Sequence, residues 1–132
     1  MKELFEIIET LIEDNKYICD YIDSNIALIN DNDIDSINNS MSDFYRFMNG
    51  YGERNNRFKV LMNSLNYKSV WEIEANEYYD KVSLKKFLKT FEESVVTSQK
   101  KLSLYGQLIS SELNMINKIK HFKRSGNIDF KL

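Results

Sequence analysis

The sequence predicts an all-α fold: an antiparallel hairpin of two long helices, then a short helix and a long C-terminal helix, in a coiled-coil-like bundle. Three observations carry this. Apolar residues recur at alternating spacings of three and four through three long stretches. The 132 residues include no proline and only four glycines, so little interrupts a helix. Short polar segments separate the stretches where the chain has to turn. A chain of this length suits one domain, here residues 1–123, with 124–132 lacking periodicity and expected as a loose tail.

The first helix is expected over 2–30, with a seam of Leu4, Ile8, Leu11, Asn15, Ile18, Ile22, Asn25 and Ile29. Phe5, Ile12, Cys19 and Ile26 form a second apolar row beside it, which is wider than one partner helix needs and predicts burial against more than one neighbour. Asn15 and Asn25 in that seam either fix register or partner number or sit at a wet edge, with the wet edge slightly favoured. Asn30-Asp31-Asn32-Asp33 makes a turn, with Asp33 the N-cap of the second helix. As a calcium loop it lacks the glycine and terminal glutamate at the required offsets.

The second helix, 34–65, has the most regular stripe, from Ile34 through Met41, Phe44, Met48, Tyr51, Asn55 and Phe58 to Leu65. At 1.5 Å per residue each hairpin helix would be on the order of 45 Å long. Gly50 and Gly52 predict a bend or a frayed point. No strand precedes them and no Gly-Lys-Ser/Thr comes after, so a phosphate loop is strongly disfavoured. Asn66-Tyr67-Lys68 ends the pattern, and Ser69-Val70-Trp71-Glu72 reads as a capping box opening a short helix over 70–79. The last helix is expected over 84–123, starting after Ser83, with polar seam entries at Ser98 and Glu112 and Gly106 between them.

Chemistry is sparse. The single histidine, His121, has no cysteine or histidine cluster to complete a zinc site, and no Glu-x-x-His pair suggests a di-iron centre. Glu72, Glu74, Glu77 and Asp80 read as a solvated face, and no glycine-flanked serine forms a nucleophile elbow. No enzyme, cofactor or metal is implied. Lys81, Lys85, Lys86, Lys89, Lys100 and Lys101 are interspersed with acids and accompany no nucleic-acid motif. The net charge of −2 conceals an asymmetry: residues 1–66 hold 6 basic and 12 acidic side chains, and 67–132 hold 12 and 8. Such a split favours the halves packing together, or steers an acidic partner onto the second half. The lone Cys19 reads as a small buried hydrophobe in a reducing, cytoplasmic setting. Acids inside the first apolar run argue against a signal peptide, and no apolar run approaches the roughly 20 residues that cross a bilayer.

The order of elements, and the residues Ala27-Leu28-Ile29-Asn30-Asp31-Asn32-Asp33-Ile34-Asp35-Ser36-Ile37 closing the first hairpin, resemble the FlgN family of flagellar type III export chaperones. Arg54 and Arg57 toward the end of the second helix, the capped segment 69–79 and a final helix rich in leucine, isoleucine and asparagine extend the resemblance. The resemblance implies a cytosolic chaperone that binds the C-terminal helical ends of hook-filament junction proteins, prevents their premature assembly and delivers them to the export gate. It also implies that the last helix holds the client through Leu102, Tyr105, Leu108, Ile109, Leu113 and Ile116. The residues alone leave an alternative open: a self-associating helical bundle subunit, its exposed stripe met by a second copy.

Overall fold

The computed structural model describes residues 1–31 and 33–109, excluding the side chains of Ile34 and Ile109. Among them the chain is all helical, with three long helices and no strand: α1 (Lys2–Asn30), α2 (Ile34–Ser64) and α3 (Lys81–Ile109), and a single 3₁₀ turn at Val70–Glu72. The expected continuation of the last helix to 123 and the tail 124–132 lie outside the described residues.

The double apolar row of α1 explains its central place, because it packs on both other helices. Contacts fix the directions. Along α1, Glu3, Asn15 and Tyr21 meet Arg57, Tyr51 and Phe44, in descending order along α2. The partners Phe87, Ser98 and Lys101 of Phe5, Asn15 and Asp23 ascend along α3. Thus α2 runs against α1, and α3 runs with it. The core comprises Leu4, Ile8, Leu11, Ile18 and Ile22 of α1, Phe44, Met48, Phe58 and Met62 of α2, and Leu88, Phe91, Val95 and Leu102 of α3. Edge-on contact of Phe58 with Phe91, 5.4 Å between ring centres, joins α2 to α3.

The helix ends follow local chemistry. Asp33 caps α2, its carboxylate accepting from the Ser36 amide at 3.2 Å. α2 closes in a Schellman motif: Asn66 adopts φ 62°, its N–H donates to Asn63, and the Tyr67 N–H reaches back to Met62. Gly50 and Gly52 do not interrupt α2, which is helical throughout Ile34–Ser64. Gly50 instead makes room: a Cβ there would lie 2.8 Å from the Arg54 guanidinium, which folds back across it.

Two element boundaries differ from the sequence expectation. The short helix expected over 70–79 shrinks to the 3₁₀ turn, because Ser69 Oγ accepts from Trp71 N–H and Glu72 reaches the Lys68 amide, so the reciprocal capping box does not form. Asn76 then accepts the Tyr78 amide in an Asx turn, which competes with helix. The last helix begins at Lys81 rather than Leu84. Its cap is Asp80, whose carboxylate accepts from the Ser83 amide at 2.7 Å, which places Ser83 inside the first turn. That bond holds the Asp80 carboxyl below its usual range.

The left-handed backbone of Asn66 predicts opposite outcomes for two substitutions. Asn66→Gly should be neutral or stabilising by up to about 1 kcal/mol in urea unfolding, and Asn66→Val should cost more than about 1 kcal/mol, because only the β-branched side chain clashes in this region. Equal stability of the two variants would contradict the cap.

Candidate partner-binding surface

The six residues that the family resemblance assigns to client binding fall into different settings. Leu102 and Tyr105 are buried in the core, at 2% and 0% exposure. The Tyr105 hydroxyl points at Met41 Sδ, 3.8 Å away, and its ring meets Tyr21 edge-on at 6.1 Å. Burial pushes its pKa far up, and neighbouring Tyr21 adds to the effect. Leu108 is exposed at 38%, and Leu104, which the resemblance does not assign, at 48%. Ile109 ends α3, with its side chain outside the described residues, as are Leu113 and Ile116.

Inside the bundle lies a polar level where the sequence suggests a wet edge. Asn15 and Asn25 are buried, at 1% and 3% exposure, rather than at such an edge. Asn15 Oδ1 accepts from the Tyr51 hydroxyl at 2.5 Å and from the Ser98 hydroxyl at 2.9 Å, and its Nδ2 donates to Ser94 at 3.1 Å. One carboxamide therefore ties α1 to both neighbours. Asn25 ties α1 to α2 alone, accepting from Ser40 at 3.1 Å, while its Nδ2 donates to the Tyr21 carbonyl of its own helix at 2.9 Å. The signal for this level in the sequence is the set of polar interruptions in the three seams, Asn15, Asn55 and Ser98.

Asn55 sits in the same layer, close enough to the phenol oxygen to offset part of the burial that pushes Tyr51 up to about 12, as Ser98 also does. Neither of its amide atoms completes a hydrogen bond of proper geometry, although the residue is 1% exposed. Beside this layer, Arg54 Nε meets Asp14 Oδ2 at 2.5 Å, with the guanidinium 5.4 Å from the Phe47 ring centre. Burial raises the Asp14 pKa, and Arg54 pulls it partly back. Cys19 is half-buried, and burial raises its thiol pKa, leaving it little thiolate character.

Among the described residues no cluster of His, Cys, Asp and Glu is placed to hold a metal ion, and no helix is long and apolar enough to cross a membrane. The surface carries large apolar side chains at both ends of α3: Trp71 and Val82, 48% and 78% exposed, near its start, and Leu104 and Leu108 at its end. Comparisons with family models, with curated proteins and with solved structures find no match to this chain.

The polar layer gives two predictions. Unfolded tyrosine ionises near 10 and Tyr51 near 12, so its contribution is fully present below pH 10 and is lost as pH rises through 12. Tyr51→Phe should cost about 1–2 kcal/mol at pH 7 and flatten the fall in stability between those pH values, followed by circular dichroism. Asn55→Leu should stabilise the protein by about 1 kcal/mol or more by removing an unpaired buried amide. Destabilisation by Asn55→Leu would show that this amide is satisfied in solution.

Proposed function

We propose that this chain is a cytoplasmic export chaperone of the FlgN type, which holds the C-terminal helical ends of hook-filament junction proteins and presents them to the flagellar type III export apparatus. In this reading α1 and α2 form an antiparallel hairpin scaffold, and α3 opens the long C-terminal helix that meets the client. The observation that carries it is the pair of exposed leucines, Leu104 and Leu108, in the last described turns of α3. Leu102 and Tyr105 lie in the core, while Leu104 and Leu108 on the neighbouring face are exposed. Leu102 and Tyr105 then anchor the helix, and Ile109, Leu113 and Ile116, with Leu108 beside them, have the four- and three-residue spacing that groove recognition uses. The resemblance in element order supplies the client class.

The same exposed leucines suit a second copy of the chain, so self-association into a structural bundle is the second reading. One pair of measurements separates them. With a peptide from the C-terminal helix of a junction protein, sedimentation should give a monomer alone and a one-to-one complex in the mixture. Leu108→Glu should weaken that complex about tenfold or more, with helical content unchanged. A concentration-dependent oligomer that Leu108→Glu dissociates, with no client complex, would support the structural bundle instead.

A further inference from the structure

The opposite end of α3 carries a second surface that the chaperone reading does not use. Lys81, Lys85, Lys86 and Lys89 occupy its first turns, and none makes an ion pair with an acid among the described residues. The positive end of the helix dipole adds to their field. Asp80, the nearest acid in sequence, is engaged by the Ser83 amide. In the middle of these ammonium groups Val82 stands 78% exposed.

Two recesses meet here. One, of about 390 Å³, has an apolar floor of Ile73, Leu84 and Leu88 beneath the half-exposed Trp71, with Lys81, Lys85 and Glu74 among its other lining residues. The other, of about 520 Å³, lies around Val82 and shares Lys81 and Lys85. An apolar cleft flanked by cations selects a ligand that is apolar at one point and anionic around it. Lys81, Lys85 and Lys89 repeat every four residues, about 6 Å apart along the axis, which is the spacing of side chains on one face of another helix.

We propose that this surface docks an acidic amphipathic helix of a partner protein, with one large apolar side chain in the Trp71 cleft and carboxylates four residues apart on Lys81, Lys85 and Lys89. An anionic bilayer fits less well, because the floor residues Ile73 and Leu88 are 6% and 2% exposed at the bottom of a recess, which a single protruding side chain reaches and a flat surface does not. This docking does not rest on the chaperone reading, since Leu104 lies 19 residues beyond Lys85, about 28 Å along the helix.

Trp71 is the only tryptophan of the chain, so its emission reports on this site directly. The probe is a tryptophan-free helical peptide of about 20 residues with glutamates at four-residue spacing beside a leucine stripe. It should shift Trp71 emission to the blue in a saturable way, and more weakly as salt is raised. The double variant K81E/K85E should lose about tenfold or more in affinity with helical content intact, and Leu108→Glu should bind like the parent protein. Unchanged affinity in K81E/K85E, an unmoved Trp71 emission at saturation, or loss of binding in Leu108→Glu would overturn the proposal. So would phosphatidylserine vesicles or a single-stranded oligonucleotide shifting the emission where the acidic peptide does not.

Discussion

One carboxamide holds the three helices in register. Asn15 is the point where hydrogen bonds from α2 and α3 converge on α1, through Tyr51, Ser98 and Ser94. Apolar stripes tolerate sliding, since a leucine displaced by a turn finds another apolar surface. A buried amide does not, because each unmade bond leaves a desolvated polar group worth about 1–3 kcal/mol. The layer therefore contributes more to specificity than to net stability, as single polar residues do in coiled-coil seams.

Charge plays a smaller part in holding the halves together than the sequence balance suggests. Among the inter-helix ion pairs of the described residues, Asp14 with Arg54 and Glu3 with Arg57 lie within the acidic half, and only Lys101 with Asp23 joins it to the basic one. Glu3 and Arg57 are largely exposed, where such a pair is worth little. The arginines thus serve the α1–α2 contact. Among the described residues of the second half, Lys81, Lys85, Lys86 and Lys89 gather in the first turns of α3 without an ion pair.

The helices are legible in the sequence because their periodicity repeats over about eight turns, and two polar turns can be read from Asn and Asp chemistry. Where sequence and structure part, side chains act at a distance that spacing does not encode. Asp80 looks like one of four solvated acids, and its role as a cap depends on the backbone of Ser83 turning toward it. Gly50 looks like a weak point, yet it gives Arg54 space to reach Asp14. Asn15 looks like an edge because one stripe does not reveal that Tyr51 and Ser98 lie opposite. The outward stance of Leu108, against the burial of Leu102 and Tyr105, is likewise a matter of which neighbour each turn of α3 meets.

The role of Asn15 in setting register is tested most directly by the Asn15→Leu variant in two-dimensional NMR. An apolar residue of the same branched shape keeps the helices and the burial while removing the convergent bonds. Retained helical content is expected, with broadened or multiple resonances for residues of α1 and α3 as the helices sample more than one alignment. A single sharp set of resonances, with the Phe5–Phe87 and Tyr21–Tyr105 ring contacts preserved, would contradict it.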